Sequence, residues 1–368
     1  MSGGGPDAYA AAGVDTGEAD RGVAALVGVL AGIETGAPSR SVLPSGHYAA
    51  VLEIAPNLGI ALGTDSAGSK VIVAEQTGRF DTIGIDCIAM NVNDVICVGA
   101  EPIAVLDYLA VEQSDPEMLR QIGEGLKAGA MDAGVEIPGG ELAILPEVVR
   151  GHPSPNGFDI VGTCFGTVAL DAIVTGSARR PGDVVIGLPS SGIHSNGYTL
   201  ARRALLQDAG LGLDERPAEL GGPSVADALL EPTVIYVRAV LDLLRSEVPV
   251  HGLAHITGGG ALNLLRLHDP EGISLAYELD TPLPVPPVFD LIASAAGVEP
   301  AEMWEVFNMG CGFACVVPAE HEVEAIRILD SRHPGAARIG TITGDGGRVT
   351  LPGLGLAGDR GGGLRAAG

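Results

Sequence analysis

Twice in the second half of the chain an aliphatic run ends in a cluster of small residues and then resumes with helical spacing. Residues 180–206 read RPGDVVIGLPSSGIHSNGYTLARRALL, and residues 251–267 read HGLAHITGGGALNLLRL. A short β-branched run bounded by Gly and Ser reads as a buried strand, and the amphipathic stretch after it as a helix. The first half mixes the same ingredients. LGIALGT (58–64) reads as a short buried strand, followed by the loop 65–70 and an apolar segment from 71 to 74. Ile85, Ile88, Val92, Ile96 and Gly99 form one stripe at about 100° per residue, which predicts a helix over 82–99. A second helix is expected over 116–132, with Ser114 or Asp115 as N-cap, Pro116 near its first turn and Gly134 ending it. Residues 103–111 and 158–168 read as strands, and 232–247 as a further helix.

Elements mixed in this way imply an α/β (α+β) class. At 368 residues the chain can bury two cores, and with aromatics at 4% those cores must be aliphatic. The expected division is a first domain over 1–169, a second over 170–351, and a Gly-rich mobile tail over 352–368, with residues 1–8 mobile as well. TPLPVPPVFD (281–290) reads as a connector.

The formal net charge of -25 opposes binding to nucleic acid or an anionic membrane, but not to a small phosphorylated substrate held by local amides and a metal. Lys70 and Lys127 are the only lysines, a pattern that suits either a high-salt cytoplasm or a GC-rich genome. The odd set Cys87, Cys97, Cys164, Cys311 and Cys315 argues for a reducing compartment without a disulfide framework. The apolar run at 23–33 follows Asp7, Asp15, Glu18 and Asp20, the wrong charge for a secretory signal, and is too short to span a bilayer. A cytoplasmic location is expected.

Four features carry chemistry. In the loop 65–70, Gly68 lets amides approach an anion, Lys70 can reach a phosphate and Asp65 can hold Mg²⁺, although a solvated turn explains the same residues. Asp86, Asn93 and Asp94 lie off the apolar stripe of the 82–99 helix and offer oxygen ligands, or form an ordinary polar face. Gly139-Gly140-Glu141 is a tight turn with one carboxylate. The loops 190–197 and 257–260 present small residues at helix starts, where a phosphate is favoured, and His194 is either an acid/base group or a capping histidine.

Taken in order, YAAAGVD (9–15), TDSAGSK (64–70), FDTIGIDCIAMNVNDVICVGAEPIAVLDYLA (80–110), GGELAILPE (139–147), FDIVGTCFG (158–166), PSSGIHSNGYTLAR (189–202), EPTVIYV (231–237), AHITGGG (254–260) and FNMGCGF (307–313) resemble the aminoimidazole ribonucleotide synthetase family over nearly the whole chain. The resemblance implies a two-domain protomer whose first domain pairs with a second copy to close a β-barrel, giving a homodimer. It implies that ATP phosphorylates the formyl oxygen of formylglycinamidine ribonucleotide. An internal nitrogen then closes the imidazole ring and expels phosphate. ATP and Mg²⁺ are the implied cofactors, with no nucleic-acid or membrane partner.

By position, the resemblance makes Asp65, Asp94 and Glu141 metal and ATP residues, with Asp86 a weaker addition. Gly68, Ser69 and Lys70 would contact phosphate. Ser190, Ser191, His194, Ser195, Asn196, Gly258, Gly259 and Gly260 would hold the substrate. His194 would lie nearest the chemistry, with Lys70 and Asp65 the other catalytic candidates. The chain departs from the family where TDGVGTK becomes TDSAGSK, placing a Cβ at Ser66, and where GGETAEMP becomes GGELAILP. The same architecture serves selenophosphate synthetase, a hydrogenase-maturation dehydratase and thiamine-phosphate kinase. The first two are disfavoured because no cysteine precedes Cys87 and the chain ends LRAAG. Thiamine-phosphate kinase and a non-catalytic nucleotide-binding paralogue remain the alternatives.

Overall fold

The computed structural model describes residues 16–44 and 46–367. The expectations for residues 1–8 and for YAAAGVD (9–15) lie outside the described residues. A helix at Thr16–Leu30 precedes the first domain, with Leu26 and Val29 exposed.

The first sheet joins β1 (Ala50–Ala55), β2 (Leu58–Ser66), β3 (Glu101–Val111), β4 (Gly140–Ile144) and β5 (Phe158–Val168) in the order β1-β2-β5-β3-β4. All neighbours are antiparallel except the parallel pair β3–β4. One face is covered by the helices Ile83–Ile96 and Pro116–Ala133, whose apolar stripes form the core. Glycines let these two helices cross closely: a Cβ on Gly84 would lie 2.2 Å from the Leu126 nitrogen. Asp115 caps the second helix by accepting from the Glu117 and Met118 amides at 2.8 and 3.3 Å, and Gly134 ends it in the left-handed conformation. The opposite face of the sheet is open, with Leu58, Ile103, Leu106 and Tyr108 exposed.

The second sheet contains β6 (Val184–Pro189), β7 (Gly252–His255), β8 (Leu275–Glu278), β9 (Cys311–Val317), β10 (Ala337–Asp345), β11 (Val349–Leu351), β12 (Leu356–Asp359) and β13 (Gly363–Ala366). Its order is β13-β12-β11-β8-β10-β6-β9-β7, antiparallel except for β8–β11. The strand–loop–helix units therefore do not build parallel crossovers, and the second domain falls on the α+β side of the mixed class.

Several sequence expectations change, and the first is that Gly139-Gly140-Glu141, read as a tight turn, enters strand β4 at Gly140. The stretch 352–368, expected to be a mobile tail, instead contributes the β12–β13 hairpin to the sheet edge, because Leu356 and Leu364 are buried there. The helix expected after TGGG is a 3₁₀ segment, Gly260–Arg266. The helix expected over 232–247 is shortened to Val237–Leu244, leaving 232–236 without regular structure beside the helix Ile83–Ile96. There Asn93 joins the domains: its Nδ2 donates to the Val234 carbonyl at 2.8 Å and its Oδ1 accepts from the Tyr236 amide at 3.0 Å.

Candidate functional site

The loops singled out from sequence meet where the domains face each other. Asp65, at the end of β2, is fixed by the helix Ile83–Ile96. Its amide donates to Asn91 Oδ1 at 3.0 Å, and Asn91 Nδ2 donates back to its carbonyl at 3.1 Å. Asp65 Oδ1 accepts from the Ser66 amide at 2.7 Å. The turn then needs a left-handed residue, and Gly68 supplies it with φ +59°. Ser66 remains in the strand, and its hydroxyl accepts from the Gly68 amide at 3.2 Å, so the Cβ introduced there causes no backbone strain. A Cβ on Gly68 would lie 3.5 Å from the Ser195 carbonyl, and one on Gly258 would lie 3.5 Å from Asn196 Oδ1. Half-buried Ser69 follows in the same turn. Gly68, Asn196 and Gly258 thus line one junction.

Asp94 completes the carboxylate side. His255, buried in β7, holds its Nδ1 2.8 Å from Asp94 Oδ1. Asp94 itself stays partly exposed, with Oδ2 free of this bond. Burial raises the Asp65 carboxyl above its ordinary range, and Asp94 pushes it the same way. The Ser66 amide, His255 and Arg266 oppose that rise.

Sequence reasoning missed Asp107. Asp65, Gly162, Asp107 and Gly140 form one row across β2, β5, β3 and β4. Side chains in a row share a face, so the two acids stand about 10 Å apart on the helix-covered side. A Cβ on Gly140 would lie 2.3 Å from the Asp107 carboxylate, so glycine is what leaves room for it. The available signal was a lone acid in the aliphatic run IAVLDYLAV. His255 was likewise present in AHITGGG without being singled out.

Other expected contacts are not brought together. Glu141 is one residue past that row, beside Tyr108 on the open face, so within one chain it does not join Asp65 and Asp94. Among the described residues no group of three His, Cys, Asp or Glu side chains is arranged to hold a metal. Lys70 is fully buried, its ammonium on Asp86 at 2.8–2.9 Å, the His194 carbonyl at 3.3 Å and the Glu231 carbonyl at 2.6 Å. That leaves no donor for a phosphate, contrary to expectation. Asp86 is equally engaged, with the Thr233 amide, the Thr233 hydroxyl and the Ser195 hydroxyl as further donors, and is no metal ligand here.

The Ser190 and Ser191 hydroxyls bond internally to Asn308 and the Pro232 carbonyl. The Gly259 and Gly260 amides donate to the Glu305 and Thr257 carbonyls, so they form no free phosphate cradle. His194, at φ +59°, is buried, and burial holds its imidazole neutral, well below its ordinary range. Its Nε2 accepts from the Ser191 amide at 3.3 Å, which places the proton on Nδ1, an atom with no partner. Among the described residues the Asn196 carboxamide has only Met90 Sδ, at 3.9 Å, as a side-chain partner. An apolar cavity lined by Ile256, Ala261, Leu264, Trp304, Met309 and Cys311 adjoins the glycine loop, but no carboxylate lines it.

Two domains of this topology, with acids at the end of β2 and on the helix beneath it, define a class of protein. Residues 46–168 match the N-terminal domain of AIR synthase related proteins and residues 180–351 match their C-terminal domain, and the chain belongs to that family. It is 45% identical to the phosphoribosylformylglycinamidine cyclo-ligase of Thermococcus kodakarensis over 345 residues, 92% of this chain and 96% of that protein. It is 49% identical to the protein of the same name from Methanothermobacter thermautotrophicus over 309 residues, 83% of this chain and 86% of that one. Among solved structures, hydrogenase maturation protein HypE superposes with a TM-score of 0.58 at 22% identity, covering 90% of this chain and 94% of that one. This likeness shows the shared fold. Among the described residues no helix is long and apolar enough to cross a membrane.

Proposed function

We propose that the chain is an ATP-dependent cyclo-ligase converting formylglycinamidine ribonucleotide to aminoimidazole ribonucleotide, a step of purine biosynthesis. The observation that carries this reading is full-length kinship with cyclo-ligases at 45% identity, joined to a junction where Asp65 and Asp94 face the loops of Asn196 and Gly258. Among solved neighbours of the same fold, a hydrogenase maturation protein HypE was complexed with ATP and a PurL with FGAR, which supports use of a nucleotide and of a ribonucleotide substrate.

The carboxylates fit a magnesium ion of the kind held by one or two acids together with nucleotide phosphates. Asp65 and Asp94 each use one oxygen in a hydrogen bond, and the charge of Asp94 adds to the rise that burial imposes on the Asp65 carboxyl. They would hold the ion, and Asp107 stands two strands away in the same row of the sheet. When bound, Mg²⁺ neutralises charge on the transferring phosphoryl group. His255 fixes Asp94 so that Oδ2 faces away from the imidazole. Asn196 is the polar side chain best placed to meet the substrate. Buried, neutral His194 can donate from Nδ1 but is a poor proton acceptor. Alignment and charge neutralisation therefore carry the catalysis, rather than a strong base.

The open sheet face, with Ile103, Tyr108 and Glu141, seats a second copy in this reading, and the location is the cytoplasm. The test is product analysis with ATP, Mg²⁺ and formylglycinamidine ribonucleotide. ADP and aminoimidazole ribonucleotide in equal amounts are expected. ATP consumption on thiamine phosphate, with none on the ribonucleotide, would replace this reading.

A further inference from the structure

Lys70 and Asp86 are both 0% exposed, and they come from a turn and a helix of the first domain. Nearly everything else they touch belongs to the second. Lys70 Nζ donates to the His194 carbonyl at 3.3 Å and the Glu231 carbonyl at 2.6 Å, and stands 5.8 Å from the Tyr198 ring centre. Asp86 Oδ1 accepts from the Ser195 hydroxyl at 3.1 Å, the Thr233 amide at 2.8 Å and the Thr233 hydroxyl at 2.7 Å. The Ser195 and Thr233 hydroxyls also bond to each other at 2.9 Å.

A buried ion pair is a poor source of stability, since desolvating two charges offsets most of their attraction and apolar residues of similar volume hold a core as well. What it supplies is direction: every partner must sit at a fixed point. One of those partners is the carbonyl of His194, whose left-handed φ of +59° is costly for a non-glycine residue and persists only where its surroundings impose it. Asn196 lies two residues on. Asp65 lies five residues before Lys70, at the end of the strand that leads into its turn.

We propose that the Lys70–Asp86 pair is a positioning device that locks the 190–197 loop against the turn bearing Asp65. It would set His194 and Asn196 relative to the carboxylates and contact neither ATP nor substrate. This rests on the cyclo-ligase reading for its kinetic consequence, but not for its structural one.

The test is the double variant Lys70→Met/Asp86→Asn, which removes both charges and keeps an acceptor for Thr233 and Ser195. Lys70→Met alone leaves a buried unpaired carboxylate and is made only for comparison of stability. The double variant is expected to fold, with amide exchange in 190–197 about tenfold faster than in the parent. Its kcat is expected to fall about 100-fold, as for a reacting group displaced by about an ångström, with KM for ATP changed less than about threefold. Parental exchange with parental kcat would overturn the proposal. So would parental exchange with a raised KM for ATP, which would make Lys70 a phosphate contact. If the parent protein shows no turnover on formylglycinamidine ribonucleotide, the cyclo-ligase reading fails, and loop exchange alone still decides whether the pair locks the loop.

Discussion

The acids that look alike in sequence differ sharply once folded. Asp86, Asp94 and Glu141 all read as oxygen ligands, yet Asp86 is neutralised by a buried ammonium, Glu141 faces away, and only Asp94 keeps an exposed oxygen beside Asp65. Asp94→Ala should therefore reduce turnover at least about 100-fold while leaving the folded state intact. Activity assays alongside circular dichroism check this, and near-parental activity would remove Asp94 from the site. A second prediction concerns protons. Burial lowers the His47 imidazole from 6.5 to about 4, only partly opposed by its contact with the Thr175 carbonyl. The unfolded chain then binds the proton first, so stability is fully present above about pH 6.5 and is lost as the pH falls towards 4. His47 alone should account for a loss on the order of 3 kcal/mol by the lower end. Denaturant unfolding across that window should show the decline, and His47→Gln should flatten it; an unchanged slope would contradict the assignment.

At the scale of elements, periodicity was legible and pairing was not. The stripe Ile88, Val92 and Ile96, the Asp115 cap and the Gly134 stop all stand where spacing and local chemistry placed them. Strand 158–168 was readable because a run rich in Ile, Val, Thr and Phe is a local signal. Hydrogen bonding within the glycine loop is not local. TGGG looked like an amide cradle, yet Gly260 is glycine because a Cβ there would lie 2.0 Å from the Trp304 carbonyl at φ +50°. Gly260→Ala should thus cost about 2–4 kcal/mol in denaturant unfolding. Gly192→Ala, where a Cβ meets nothing within 4 Å, should change stability by less than about 0.5 kcal/mol. Equal effects would mean the two loops are packed alike. The tail misled for a related reason: its glycines suggested mobility, but Leu356 and Leu364 find a sheet edge that no local pattern announces.

For the whole molecule, the open face of the first sheet is the feature a single chain leaves unresolved. Tyr108, at 41% exposure, pairs with Glu141, and Ile103, at 47%, lies further back along the same strand. A second copy covering that face would place Glu141 in the interface between the copies. Ile103→Asp should convert a dimer to monomers in sedimentation velocity and remove activity with it; an unaltered dimer would place the interface elsewhere. The family itself was readable early, because ordered motifs survive across nearly the whole chain, whereas the roles of Lys70 and Asp86 depended on which domain each side chain meets. The central chemical claim is that phosphate leaves with the formyl oxygen of the substrate. The measurement is a turnover with substrate carrying ¹⁸O at that formyl position, followed by mass analysis of the released phosphate. One ¹⁸O is expected in each phosphate released; unlabelled phosphate, with the label appearing in water or kept in the organic product, would contradict transfer to the formyl oxygen.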